Sequence, residues 1–255
     1  MKIGIVQMDT IAGDVSTNIL RADALISAAP GADLYLLPEM FSTGFAMFPD
    51  GCAEDEDGAS LRWMQQKAAA LDAALCGSVA TRCVDGTFVN RMYFVTPDGT
   101  VTRYDKRHLF SFSGEDLRYR PGRERIVVTF RGVRFLLLVC YDLRFPVWCR
   151  CRDDYDALLC VANWPVKRRH AWDVLLRARA AENQCYVCGC NRVGTDDLDC
   201  VYDGGSALIN PYGEALTPSS SAEEVLTADI DMEHLVHYRQ RFPLLKDSDD
   251  FEIKL

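Results

Sequence analysis

The sequence predicts a mixed α/β protein, a sheet architecture with helices on its outside. Three observations predict it. Short β-branched or leucine-rich runs alternate with longer segments of helical periodicity, and turn signals join several of the short runs into hairpins. The chain has 255 residues, 49% of them hydrophobic, which is enough to bury one sizeable core.

Taken in order, residues 3–6 (Ile-Gly-Ile-Val) read as a first strand. Over residues 15–29, Ile19, Leu20, Ala24, Leu25 and Ala28 recur at helical spacing. Residues 34–37 form a buried-type strand stopped by Pro38, residues 61–74 a helix and residues 74–79 a strand. Strands over 91–96 and 100–105 flank the turn signal Pro97-Asp98-Gly99, and strands over 126–130 and 134–140 flank Arg131-Gly132. A strand over 157–162, a helix over 170–182 and a strand over 185–192 follow, and residues 205–209 and 225–230 are expected to close a last hairpin. The acidic run Glu54-Asp55-Glu56-Asp57 reads as a solvated loop. One domain over residues 1–235 is expected, with 236–255 as an extended tail.

Composition excludes several classes. The apolar fraction is too high for a disordered chain, and no run approaches the roughly 18 charge-poor apolar residues of a membrane span. With 28 Lys and Arg against 37 Asp and Glu, the net charge of -9 argues against nucleic-acid binding, which needs basic surfaces. The opening apolar run is too short for a signal peptide, so the cytoplasm is the default location. Eleven cysteines are an odd number in a chain too large to need staples. In a reducing compartment most behave as small hydrophobes.

Three segments place a reactive side chain at or just beyond a strand end. Glu39 follows the buried run Leu36-Leu37-Pro38, Lys106 leaves the hairpin in Tyr104-Asp105-Lys106-Arg107-His108, and Cys140 ends the most hydrophobic strand, Leu136-Leu137-Leu138-Val139. A carboxylate against a buried strand is costly unless paired or functional. Singly, each has a plainer reading: a loop carboxylate or cap, a surface lysine, a buried structural thiol. Only their combination points to chemistry.

That combination resembles the nitrilase superfamily of carbon–nitrogen hydrolases. Leu37-Pro38-Glu39-Met40-Phe41, Asp105-Lys106-Arg107-His108-Leu109-Phe110 and Cys140-Tyr141-Asp142-Leu143-Arg144-Phe145-Pro146 match its Glu–Lys–Cys pattern in order. Ala162-Asn163-Trp164-Pro165, residues 177–184, and Gly204-Gly205-Ser206 followed by Asn210-Pro211-Tyr212-Gly213 match further segments, so the likeness covers about residues 1–235. The wording around Lys106 and Cys140 is most similar to the omega-amidases, which act on 2-oxo acid amides.

The resemblance implies a four-layer α-β-β-α sandwich, with Cys140 as nucleophile and Glu39 as general base. Lys106 and the backbone N–H of Tyr141 would hold the oxyanion, and Glu115 would orient the lysine and substrate. It implies no metal or organic cofactor, a small amide as substrate, and pairing of two or more subunits through helical layers, with the tail packing across the partner. The residue chemistry agrees: a thiol is only a few per cent thiolate at neutral pH, so a base must take its proton.

An oxo-acid amide also needs a carboxylate anchor, for which the planar fork of arginine is suited. Arg144 is placed for it but could pair with Asp142 instead, and Arg168 and Arg169 are equally placed by position. Phe41, Phe45 and Trp164 are further candidates for the pocket wall. Two other readings stay open: an N-carbamoyl amine or aliphatic amide hydrolase with the same machinery, and a zinc- or redox-responsive thiol protein using Cys185, Cys188 and Cys190. Strand alternation sends Cys188 and Cys190 to one face and Cys185 to the other, which favours core filling.

Overall fold

The structure is a computed structural model that describes residues 1–254. Its first sheet is built from β1 (Lys2–Gln7), β2 (Leu34–Leu36), β3 (Glu54–Asp55), β4 (Ala74–Arg82), β5 (Phe88–Val95) and β6 (Val101–Asp105), with α1 (Val15–Ala28) and α2 (Ala59–Leu71) between its early strands. The second contains β7 (Val127–Phe130), β8 (Val133–Val139), β9 (Ala157–Ala162) and β10 (Tyr186–Asn191), with α3 (Pro146–Cys149) and α4 (Arg169–Asn183) in the crossovers. Then come a small ribbon of β11 (Val193–Thr195) and β12 (Val201–Asp203), the strands β13 (Ala207–Ile209) and β14 (Glu224–Asp229), and α5 (Met232–Arg241).

The order β14-β1-β2-β4-β5-β6, with β3 on β4, makes a seven-stranded sheet, and β13-β10-β9-β8-β7 a five-stranded one. Side-chain alternation explains why they stack. Ile3 and Ile5, Leu34 and Leu36, Ala74 and Cys76, and Met92 and Phe94 face one core shared with the second sheet. Val6, Tyr35, Leu75 and Tyr93 face the opposite way, onto Ala22 and Ile26 of α1 and Met64 and Ala68 of α2. On the far side, α4 presses Trp172, Leu176 and Ala180 into the core of the second sheet. Two sheets back to back, each with its own helical layer, are the expected α-β-β-α sandwich. The strands β8 and β9 are apolar on both faces because one face meets the other sheet and the other meets helices.

Three expectations need correction. Residues 205–209 and 225–230 are not a hairpin: β13 pairs with β10 and β14 with β1. The chain crosses between sheets there because β1 and β10 would otherwise leave open edges whose backbone groups need partners. The acidic run is not a plain loop. Glu54 and Asp55 pair with β4, and the Glu54 carboxylate accepts Ser60 N–H at 2.8 Å, in the first turn of α2. Residues 236–241 are helical rather than extended, so the boundary at 235 falls within α5. Asp231 caps that helix by accepting the N–H of His234, and Arg239 ties it to the body through Gln184 O and Tyr155 O, both at 2.9 Å. Among the described residues, no helix is long and apolar enough to cross a membrane.

Candidate active site

Glu39, Lys106 and Cys140 converge where the two sheets open at one end of the sandwich. Glu39 stands just past the carboxyl end of β2, Lys106 directly after β6, and Cys140 directly after β8. Open α/β sheets place ligands at such strand ends. Cys140 adopts φ of 46°, the left-handed region that a non-glycine residue rarely enters. The turn of residues 140–144 that starts there lifts the thiol out of the strand. As the second residue of that turn, Tyr141 has an N–H with no acceptor inside it.

The charged groups form one buried network. Lys106 Nζ lies 2.9 Å from Glu39 Oε1, 2.8 Å from Glu115 Oε2 and 3.0 Å from Glu115 Oε1. Glu39 is 0% exposed and both Lys106 and Glu115 are 1% exposed. Asn90 Nδ2 donates to Glu39 Oε1 at 2.8 Å and Glu115 Oε1 at 3.2 Å, and Asn163 N–H donates to Glu39 Oε2 at 2.9 Å. Phe110 N–H donates to Glu115 Oε2 at 2.6 Å. Every carboxylate oxygen of the pair is therefore held, which fixes Glu39 in the cavity that Cys140 also lines.

Two buried carboxylates share one ammonium. Burial works against the charge on Lys106, but Glu115 and then Glu39 outweigh it and hold its pKa well above the usual range. Burial, then the charge of Glu39, opposed by Lys106, push the Glu115 carboxyl up. The Cys140 thiol is pushed well up, first by burial and next by the charge of the Glu39 carboxylate; Lys106 only partly offsets this. At rest, then, the sulfur keeps its proton. The arrangement suits a base that takes the proton as a bond forms, and not a stored thiolate.

A cavity of about 640 Å³ opens onto this cluster, and Phe45, Tyr141, Arg144 and Trp164 all line it. The Arg144 guanidinium lies over the Trp164 ring at 4.8 Å and has no hydrogen-bonding or ionic partner among the described residues. Asp142 is not its partner, being engaged with Tyr104, His108 and the backbone of Val139. Arg168 also lines the cavity, whereas Arg169 turns away to pair with Asp173 and Asp203. Phe41 is the one wall residue placed wrongly from sequence. The left-handed backbone at Met40 swings Phe41 behind the sheet, where it is 0% exposed against Trp63.

Asn90 and Asn163 were not among the candidates. Asn163 follows β9 as Glu39 follows β2, so a polar residue at a strand end was a usable signal. Asn90 lies inside β5, where only its polarity between Phe88 and Met92, two residues away on either side, marked it. Of the three thiols of the alternative reading, Cys190 donates toward Val6 O and Leu36 O between the sheets, and Cys185 toward Arg179 O on the helical side. Both thiols and Cys188 are completely buried. Among the described residues, no group of three or more His, Cys, Asp or Glu is arranged to hold a metal ion.

The family model for carbon-nitrogen hydrolases matches residues 2–240. The chain is 44% identical to the omega-amidase YafV of Escherichia coli K12 over 99% of this chain and 98% of that protein. It is 34% identical to the 2-oxoglutaramate amidase of Bacillus subtilis over 96% of each. The crystal structure of Xanthomonas campestris XC1258, a CN-hydrolase superfamily protein with an arsenic adduct in the active site, superposes with a TM-score of 0.97 at 43% identity, covering 100% of this chain and 99% of that one. Motif, geometry and full-length likeness agree, and this chain belongs to the carbon–nitrogen hydrolase family of the nitrilase superfamily.

Proposed function

We propose that this protein is a cysteine-dependent amidase that hydrolyses the terminal amide of a small 2-oxo dicarboxylic acid monoamide, of the 2-oxoglutaramate or 2-oxosuccinamate type, to the oxo acid and ammonia. The observation that carries this reading is Arg144, a guanidinium with no partner among the described residues, in the same cavity as Cys140. It offers two parallel N–H donors to a carboxylate. The omega-amidase and 2-oxoglutaramate amidase relatives support the same substrate class.

In the first half-reaction the Cys140 sulfur attacks the amide carbon while Glu39 takes the thiol proton. Lys106 has three N–H donors. Glu39 and Glu115 occupy two directions, leaving the third for the carbonyl oxygen beside the Tyr141 N–H. One such preorganised donor is typically worth roughly 2.7–4 kcal/mol in the transition state. Collapse of the tetrahedral adduct breaks the carbon–nitrogen bond. Glu39 returns its proton to the departing nitrogen, and ammonia leaves a thioester on Cys140. Glu39 then takes a proton from water as it attacks the thioester, and the acid is released with the thiol restored.

Two copies are proposed to pair through the layer of α4 and α5, where Val174 and Val236 remain about half exposed. Sedimentation of the purified protein reads this directly.

The substrate reading is tested by ammonia release from a 2-oxo dicarboxylic monoamide, a neutral aliphatic amide and an N-carbamoyl amine, side by side. The 2-oxo monoamide should give the highest kcat/KM, and a mass increase on Cys140 should appear on rapid acid quench. A higher kcat/KM for either of the others overturns the substrate assignment. Full activity of Cys140→Ala overturns the mechanism.

A further inference from the structure

We propose that a second site on this protein binds a small multivalent anion, bearing two or more carboxylate or phosphate oxygens, in a cavity walled by arginines beside β6, the strand that Lys106 follows. The cavity is about 630 Å³, lined among others by Arg91, Arg103, Arg120 and Arg123 with Asp105 and Glu124, and it shares no lining residue with the substrate cavity.

Charge is the first argument. The protein carries a net -9, yet residues 82–125 hold nine Lys and Arg against six Asp and Glu. Four of the nine, Arg91, Arg103, Arg120 and Arg123, line this one concave surface, where Asp105 and Glu124 are the acids. An acidic protein that concentrates guanidinium groups in a cleft creates a local potential opposite to its overall field.

The state of each guanidinium is the second. Arg91 is preorganised: its Nε and Nη2 bind Asp105 at 2.6 and 3.0 Å, and its Nη1 binds Glu56 at 2.8 Å. Arg120 is held by Asp85 at 2.9 Å. Arg103 and Arg123 have no ion pair or side-chain hydrogen bond with any described residue. Asp105 is consumed by Arg91, so Glu124 alone faces two unmatched cations. Two free forks flanked by two fixed ones suit an anion with several oxygens in a plane or a tetrahedron.

The cavity is also built and not incidental. Gly122 N–H donates to Lys106 O at 2.9 Å, clamping the 120–124 segment against the end of β6. Any side chain at Gly122 would collide, since a Cβ there would lie 2.0 Å from Asp105 O. The clamp sets the arginines of both segments around one space.

Calorimetric titration of the full-length Cys140→Ala protein tests this, with inorganic phosphate and succinate as probes and sodium chloride holding ionic strength constant. Without the nucleophile, binding is read independently of any amide hydrolysis. Saturable binding of at least one probe is expected, weakened about tenfold or more in Arg103→Ser/Arg123→Ser, as loss of two charge-assisted contacts requires. Both side chains are exposed, so the double variant should keep the parent's unfolding midpoint. Phosphate alone binding would identify a phosphate-type ligand, and succinate alone a dicarboxylate. No saturable binding of either, or equal affinity in the double variant, overturns the proposal.

Discussion

The Tyr104 hydroxyl donates to Asp142 Oδ2 at 2.7 Å, joining the segment that delivers Lys106 to the turn that delivers Cys140. Asp142 is 0% exposed and also accepts from the N–H of His108 at 2.8 Å and of Val139 at 3.0 Å. The His108 ring, stacked on Phe145 at 3.7 Å, places Nδ1 2.8 Å from Oδ1. One carboxylate thereby sets the spacing of two catalytic elements from different sheets.

Asp142→Ala should lower stability by about 3 kcal/mol, since it orphans several buried donors at once. Asp142→Asn, which keeps some acceptors, should lose less. Urea unfolding of both checks the order, and equal stability of Asp142→Ala and the parent would contradict it.

Lys106→Met leaves Glu39 and Glu115 buried without a counter-charge. A loss of about 3–5 kcal/mol near neutral pH is expected for breaking such a pair. The pH dependence has a definite sign. With the folded Glu115 pKa raised above its unfolded value, and Lys106 no longer there to oppose the rise, the folded protein binds more protons, so stability should recover as pH falls toward the ordinary carboxylate range. In the parent, the raised Lys106 pKa contributes stability below its usual 10.5 that is lost as pH rises above it. Urea unfolding at several pH values separates the two proteins.

Glu39→Gln removes the base but also the charge that helps to keep the thiol protonated. Turnover should fall by about 10²–10⁴. The pH midpoint for alkylation of Cys140 by iodoacetamide should move down, because a raising influence on the thiol is gone. An upward shift would mean that Glu39 does not act on the sulfur as the geometry requires.

Arg144→Gln should raise KM for a 2-oxo dicarboxylic monoamide by roughly tenfold or more, the worth of a charge-assisted pair. A neutral aliphatic amide, with no carboxylate to anchor, should keep its kcat/KM within a few-fold. Equal losses on both substrates would place Arg144 in the structure of the wall and not in recognition.

Much of this was legible in the chain before folding. The short apolar runs of β1, β2, β4 and β5 and the hairpin around Pro97-Asp98-Gly99 are local consequences of composition and turn chemistry, and they fall within a few residues of where the sequence puts them. Phe41 was misread because its direction depends on a left-handed residue at Met40. The partners of β13 and β14 were misread because an unpaired edge belongs to the assembled sheets and to no short segment.

The sequence alone determined which strands are buried and which side chains are available for chemistry: Glu39, Lys106 and Cys140 each stand at a strand end in a motif that can be read residue by residue. Only the tertiary structure decided that they meet, that Glu115 and Asn90 complete the charge network, that Arg144 is unpaired while Arg169 is spent, and that the thiol rests protonated. The physical reason is range. Hydrophobic periodicity and turn chemistry act over a few residues, whereas burial and Coulomb interaction depend on what distant parts of the chain bring within a few ångströms.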